Sequence, residues 1–241
     1  MRGLWRLLGA GIAVLAAAAV ALAAWALLRP SIVPPWAPLD LGATPGAFTG
    51  RALAGLVGEG PRCRRLLDRA GVRYRALSLL RAGACGYEDG VRFLAGGAQG
   101  FAWRPAGLSV ACPVAAGLAM WEWSVVQPAA MAQFGSAVVG IDHLGSYNCR
   151  RIRGAHAGGW SEHAIANAID VAGFRLADGT RITVARDWRG HGARAAFLRR
   201  VRTGACGLFA TVLSPDYNAA HADHLHLDQA ARGAAGWRAC R

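Results

Sequence analysis

The first 29 residues constrain this chain more than any other part of it. No charged residue occurs from Leu7 to Leu28, whereas Arg2 and Arg6 precede the run and Arg29 closes it. At about 1.5 Å per residue, a helix of that length spans about 33 Å, enough to cross the hydrocarbon core of a bilayer. The leading arginines favour a cytoplasmic N-terminus. Residues 1–29 are therefore predicted to be a single-pass anchor with the rest of the chain exported.

A cleaved signal peptide is the alternative for the same segment. Small-residue cleavage patterns occur at Ala19-Val20-Ala21 and Ala21-Leu22-Ala23. The apolar run continues past both patterns to Leu28, which favours the anchor. Both interpretations place the body of the protein outside the cytoplasm.

Six cysteines agree with export, because their number is even and none has the close spacing of a zinc ribbon or a redox pair. We expect disulfides, and six buried thiols are the alternative. Six cysteines allow fifteen pairings, among which the sequence does not choose. Neighbour order would pair Cys63 with Cys85, Cys112 with Cys149, and Cys206 with Cys240.

The charge of the chain is large but uninformative. It has 27 basic and 14 acidic residues, a net charge of +13, and every basic residue is an arginine. Abundant Ala, Gly and Arg without Lys is typical of a GC-rich coding bias. The arginines between Arg62 and Arg75 also lack the interleaved aromatic residues of a single-strand binding platform. We therefore predict no nucleic-acid partner.

The remainder divides into a linker and one domain. Residues 30–55 are rich in Pro and Gly, which predicts a stiff linker, and residues 56–241 form the domain. Within it, periodicity predicts helices from Pro61 to Gly71, from Pro113 to Val126, from Pro128 to Phe134, and over 193–201. Strands are predicted at 72–77, 137–141 and 181–184. Helices and strands mix without a regular βαβ alternation, which predicts an α+β fold.

Histidines and carboxylates concentrate in two segments, residues 161–170 and 216–228. In His224-Leu225-His226-Leu227-Asp228 the alternation is strict, so a strand would carry both histidines and Asp228 on one face. Imidazole and carboxylate groups that converge on an open pocket are typical ligands of zinc. A third ligand must come from elsewhere.

His163 and Asp170 are the candidates for completing the site. Seven residues along a regular helix would separate their backbones by about 10.5 Å, too far for two ligands of one ion. The segment is therefore predicted to turn and to continue as a strand from Ala168. A lone His or Asp usually packs locally, but His163, Asp170 and His226 together favour a metal site.

These motifs resemble a known superfamily. Ser161-x-His163, Ala168-x-Asp170, a Ser-Tyr-x-x-Arg element that ends at Arg150, and a downstream His-x-His resemble the zinc peptidases that include D-alanyl-D-alanine carboxypeptidases, murein endopeptidases and the hedgehog signalling domain. Residues 112–228 more closely resemble the bacterial extensin-like C-terminal domain family. The resemblance implies a small antiparallel sheet flanked by helices. Together with the anchor predicted from residues 1–29, it leads us to expect a domain in the bacterial periplasm that is tethered to the inner membrane.

The resemblance also implies roles for individual residues. His163, Asp170 and His226 would bind Zn²⁺, with water in the fourth position. His224 would be the general base or acid, or would only orient the site. Asp223 is the other candidate, because it lies where the dipeptidases have a glutamate, one methylene longer. Arg150 would hold a substrate carboxylate or the developing oxyanion.

Two functional hypotheses follow. The first is a membrane-tethered periplasmic zinc hydrolase that cleaves an amide bond in peptidoglycan peptides or related cell-wall material. The second is a non-catalytic zinc-containing module that binds the wall. Residues 30–241 have 24 basic and 14 acidic side chains, and the resulting charge of +10 would favour an anionic wall polymer under either hypothesis.

Overall fold

The computed structural model describes residues 11–22, 37–152, 157–232 and 237–241. The chain divides into two units, Met1–Ala37 and Pro38–Arg241. In the first, residues 11–22 form helix α1. Among the described residues, no helix is both long and apolar enough to span a bilayer. The run from Leu7 to Leu28 extends at both ends beyond the described residues, so the anchor stays a prediction.

The second unit contains the following helices in its described part: α2 (Thr49–Ala54), α3 (Gly60–Arg69), α4 (Cys112–Trp121), α5 (Gln127–Phe134), α6 (Val184–Asp187) and α7 (Ala193–Ala205). A π-helical turn, Glu122–Val126, joins α4 to α5 without a break. Short 3₁₀ turns form at Glu162–Ile165 and Ala219–His221.

The strands of this unit are β1 (Val72–Ala76), β2 (Leu80–Ala82), β3 (Cys85–Tyr87), β4 (Gly90–Gly97), β5 (Ala102–Arg104), β6 (Ser109–Ala111), β7 (Val138–Gly145), β8 (Ala168–Leu176), β9 (Arg181–Thr183), β10 (Thr211–Leu213), β11 (Leu225–Asp228) and β12 (Ala239–Cys240). They form three sheets. A three-stranded sheet has the order β1-β4-β6, and β2 pairs with β3 in a separate hairpin.

The central sheet has the order β12-β10-β11-β8-β7-β5, and β9 pairs with β8. Its inner pairs are antiparallel, whereas β5 with β7 and β10 with β12 are parallel. The predicted α+β class is confirmed. The central sheet is antiparallel through its middle, as predicted, and is mixed at its two edges.

Helix α4 lies in the middle of the core. Every residue from Cys112 to Trp121 is buried, as expected for a helix without a polar face. The indole N–H of Trp121 donates to the carbonyl of Val201, 2.8 Å away, which ties α4 to α7. At Gly117, a Cβ would lie 3.0 Å from the ring of Phe209, so the small residue permits close packing.

All six cysteines form disulfides, which confirms the expectation of disulfides over buried thiols. The neighbour-order pairing is correct for Cys206 with Cys240 and wrong for the other four residues. Cys63 on α3 pairs with Cys112 at the start of α4, and Cys85 on β3 pairs with Cys149 after β7. The reason is tertiary packing, since the inner face of α3 lies against α4 rather than against β3.

Helix boundaries agree well with the sequence. Gly71 and Gly135 follow α3 and α5 in the left-handed region, with φ of +71° and +63°, as glycine stop signals predict. Helix α7 continues past Gly204 to Ala205, whereas the sequence predicts that it ends at residue 201. Strands β2 to β6, β10 and β12 were not predicted. All of these except β4, which has eight residues, have only two or three residues, too few to show a clear alternation. The sequence predicts that residues 30–55 are a linker, but residues 38–55 belong to the second unit, in which Leu53 and the following Leu56 are buried.

One buried acid in the core generates a pH prediction. Glu122 is 2 % exposed, its Oε1 accepts from Gln127 Nε2 at 3.0 Å, and its Oε2 has no partner among the described residues. Burial raises the pKa of Glu122. The folded-state pKa therefore lies above the unfolded value near about 4.3, so the ionised carboxylate destabilises the fold at neutral pH.

We expect Glu122→Gln to raise the melting temperature at pH 7. The gain should shrink as the pH falls through the folded-state pKa and vanish near about pH 4, where wild-type Glu122 is protonated in both states. Thermal unfolding from pH 4 to pH 8 tests this, with the exposed Glu88→Gln as control. A variant that melts below the wild type at pH 7 would contradict the prediction.

Candidate metal centre

Strands β8 and β11 form the base of the candidate centre. They are antiparallel, and their register places His226 directly opposite Asp170. Residues opposite each other in an antiparallel pair share a face of the sheet. His226 Nδ1 lies 2.9 Å from Asp170 Oδ1, whereas Leu225 and Leu227 are fully buried on the other face. The alternation in the sequence therefore predicts this strand correctly.

The turn before β8 delivers His163. Ser161 begins the 3₁₀ turn, its Oγ accepting from the backbone N–H of His163 at 3.4 Å, and Ala166 ends it with a φ of +55°. The chain then enters β8 at Ala168, as predicted. This turn brings His163 next to Asp170 across a distance that a regular helix would not span.

Two imidazole nitrogens and both oxygens of one carboxylate converge at this point. His163 Nε2 lies 3.1 Å from His226 Nδ1 and 3.2 Å from Asp170 Oδ2. The other oxygen, Asp170 Oδ1, lies 2.9 Å from His226 Nδ1. Imidazole nitrogen and carboxylate oxygen both bind zinc, at about 2.0 to 2.2 Å. The three residues can hold a metal ion by the proximity of their ligand atoms. The donor set fits zinc.

Hydrogen bonds to protein oxygens orient both imidazole rings. His163 Nδ1 lies 2.6 Å from the carbonyl oxygen of Ser146, so it carries the proton and donates. His226 Nε2 lies 3.1 Å from Asp228 Oδ2, and Asp228 Oδ1 accepts from the N–H of Ala230 at 3.0 Å. These partners engage the far nitrogen of each ring, so the nitrogen that faces Asp170 is the one that has a lone pair for a cation when the ring is neutral. Both rings are therefore set up as ligands.

The charges of the centre are strongly coupled. Burial by itself raises the pKa of Asp170, but hydrogen bonds from His163 and His226 outweigh burial and hold it well below its usual range. Burial likewise lowers the pKa of His226, yet Asp170 and Asp228 raise it to about 9. A cation at this position must therefore compete with a proton for His226 Nδ1.

His224 stands beside the three ligand candidates. Its Nδ1 lies 2.8 Å from Asp223 Oδ1, and its Nε2 lies 3.5 Å from Asp170 Oδ1. The Asp223 carboxylate is 60 % exposed and contacts the far side of the His224 ring. The structure therefore brings His224 to the centre and places Asp223 behind it.

His221 also joins the centre, although it lies outside the alternating strand. Its ring is 5.2 Å from that of His224 and 5.9 Å from that of His226, and its Nδ1 is 2.8 Å from Asn218 Oδ1. Burial and then the charges of His224 and His226 lower its pKa to about 4. The sequence signal that could have indicated His221 is the occurrence of three histidines within the six residues 221–226.

Arg150 lies at the edge of the centre. Its charge contributes to the low pKa of His221, so the guanidinium is on the same side of the molecule. Its carbonyl accepts from the N–H of Ser161, and the preceding Cys149 is bonded to Cys85. Within the described ranges the half-buried guanidinium makes no ion pair or hydrogen bond. It is therefore available to an anionic group.

Comparison with known proteins gives one match. A family model described as "Extensin-like protein C-terminus" matches residues 61–241, more than half of the chain. No curated protein matches, and no solved structure matches. The resemblance to the extensin-like family is confirmed, and the match includes every residue of the candidate centre.

We expect one zinc ion per chain in the purified protein. His163→Ala and His226→Ala should each lose the ion, because each removes one of three ligands, while circular dichroism stays native. Metal analysis after dialysis measures the content, with the exposed His191→Ala as control. A wild type that takes up no zinc when it is supplied would contradict the assignment.

Asp228→Asn should weaken zinc binding by about 10- to 100-fold, because Asp228 sets the tautomer of His226. Competition with a chromophoric chelator measures the affinity. Asp223→Asn is the matched control, since Asp223 contacts His224 and none of the three ligands. Equal affinities for the wild type and Asp228→Asn would show that the hydrogen bond does not orient the ligand.

Proposed function

The chain belongs to the extensin-like C-terminal family, and we propose that it is a membrane-tethered periplasmic zinc hydrolase. Its substrate is an amide bond in peptidoglycan peptides or related cell-wall material. The observation that carries the proposal is the convergence of His163, Asp170 and His226, with oriented rings, beside His224. The resemblance of the sequence motifs to those of the zinc D-alanyl-D-alanine peptidases supports the same proposal.

The number of ligands supports catalysis over a purely structural metal. Structural zinc sites usually have four protein ligands, whereas catalytic sites have three and keep one open position. When bound, zinc supplies a Lewis acid and lowers the pKa of a bound water to about 7. His163, Asp170 and His226 hold the ion, and Ser146 and Asp228 keep the two rings in place.

His224 has the geometry of a proton carrier. Its Nδ1–H is directed at Asp223, so Nε2 keeps its lone pair on the side of the centre, 3.5 Å from Asp170. In hydrolysis, Nε2 accepts the proton of the attacking water and then donates it to the leaving amine. Asp223 orients the ring, and His224 transfers the proton.

Arg150 supplies the positive charge that an amide hydrolase needs near its substrate. A guanidinium can bind a peptide carboxylate through two parallel hydrogen bonds or stabilise the oxyanion that develops on the scissile carbonyl. The Cys85–Cys149 disulfide and the hydrogen bond from Ser161 to the carbonyl of Arg150 fix its backbone. Three disulfides also support an oxidising compartment such as the periplasm.

A non-catalytic zinc-containing wall-binding module is the second candidate. The position of Asp223 favours it, because this carboxylate is mostly exposed and contacts His224 rather than the ligands. The site would then bind wall peptides through Arg150 and the ion without cleaving them. The two candidates differ in a single measurable property, turnover.

His224→Ala should lower the rate of muropeptide hydrolysis by about 10²-fold or more, the contribution typical of a general acid–base group. Zinc content should stay at the wild-type level because His224 is not among the three ligands. Chromatography and mass spectrometry of muropeptide digests measure the products, with His191→Ala as the control.

A zinc-loaded wild type that releases no product from any muropeptide would contradict the hydrolase. Sedimentation with insoluble peptidoglycan then tests the binding module, with Arg150→Gln as the variant that should lose binding.

A further inference from the structure

A pocket lies next to the Glu162–Ile165 turn, which carries His163. Its volume is about 360 Å³, which falls in the usual range of ligand sites, about 300 to 1,000 Å³. The start of α3, the turn between β3 and β4, and the end of the 161–167 turn form its walls. None of the candidate metal ligands lines it.

Asn167 lies in the wall of this pocket. The residue is 2 % exposed, and its Nδ2 donates to Glu162 Oε2 over 2.6 Å, which fixes the orientation of the amide. Its Oδ1 is buried and has no partner among the described residues. Because this oxygen has no accessible surface, the groups that bind a ligand in the pocket are the charged side chains of its other walls.

Three charged residues line the pocket. They are Arg64, Asp89 and Glu88, and the carboxylate of Glu88 forms an ion pair with Arg81 at 3.1 Å. Asp89 and Arg64 both lie next to Gly60. A Cβ at Gly60 would be 2.9 Å from Asp89 Cβ and 3.3 Å from Arg64 Nη1, so the absence of a side chain there lets the two residues approach each other. Burial raises the pKa of Asp89, and the charge of Arg64 opposes that rise. Within the described part of the chain, Arg64 makes no side-chain hydrogen bond or ion pair within 4 Å. The first turn of α3 also has no acidic residue.

We propose that this pocket binds an α-amino acid group, that is, an ammonium and a carboxylate on the same carbon. The ammonium faces the carboxylate of Asp89, which is an acceptor. The carboxylate faces the guanidinium of Arg64. Val57, Pro113 and Ile165 provide apolar wall for a short aliphatic side chain.

This chemistry has two possible sources, a free amino acid and a wall peptide in which a diamino-acid side chain ends in such a group. The second source rests on the proposed function. The pocket and the centre share one segment of chain, because Asn167 follows His163 by four residues. The pocket residue Tyr87 also packs edge-on against Tyr147 at 5.8 Å, and the neighbouring Cys85 is bonded to Cys149, the residue before Arg150. These contacts connect the wall of the pocket to the segment that carries Arg150.

Calorimetric titration of the full chain in mild detergent tests the proposal. The probes are D-alanine, L-alanine, meso-diaminopimelic acid, and a stem tripeptide that ends in diaminopimelate, with N-acetylalanine and alaninamide as blocked controls. We expect binding of at least one zwitterionic probe and none of the blocked forms. Arg64→Gln and Asp89→Asn should each weaken it about tenfold or more, as loss of a charge-assisted hydrogen bond implies.

Arg65→Gln is the matched control, because Arg65 is exposed on the same helix and does not line the pocket. Binding of the free amino acids identifies the first source, and binding of the tripeptide alone identifies the second. No binding of any zwitterionic probe, or wild-type affinity in Arg64→Gln and Asp89→Asn, overturns the proposal. The titration is repeated with EDTA, so failure of the zinc centre and failure of the pocket are distinguishable.

Discussion

The antiparallel pairing of β8 with β11 is the constraint on which the centre depends. It places Asp170 opposite His226, and all the other polar groups are arranged around that pair. A slip of one residue would exchange the two faces, so that Leu225 or Leu227 would replace His226. Both leucines are fully buried in the core, so the free energy of burying them opposes the slip. The apolar face of the strand thus maintains the geometry of the polar face.

The groups around this pair come from less regular parts of the chain. His163 lies in a 3₁₀ turn, His221 in another, and Arg150 in the segment after β7. These three residues do not belong to paired strands, and hydrogen bonds and the Cys85–Cys149 disulfide fix the segments that carry them. The protein therefore combines a rigid sheet that sets the ligand spacing with loops that bring in the groups able to bind substrate or carry protons.

Sequence reasoning reached most of the centre. The alternation from His224 to Asp228 predicts the strand and its polar face, and the length of a helix excludes one between His163 and Asp170. It did not reach the partners of the rings, such as the carbonyl of Ser146, because a backbone carbonyl leaves no mark in the sequence. It also failed for Cys63 with Cys112 and for strands such as β2, β3, β5 and β6, because three residues are too few to show a periodicity.

Local pattern by itself therefore determined three things about this protein: an uncharged N-terminal run, an even set of cysteines in disulfides, and a strand with a polar and an apolar face. Each depends on covalent neighbours or on the period of a single element. Only the tertiary structure decided which cysteines pair, which nitrogen of each histidine faces Asp170, and that Arg64, Asp89 and Asn167 line one pocket. Those outcomes depend on packing between segments that are distant in the chain, and the periodicity of each segment is the same whichever partner it meets.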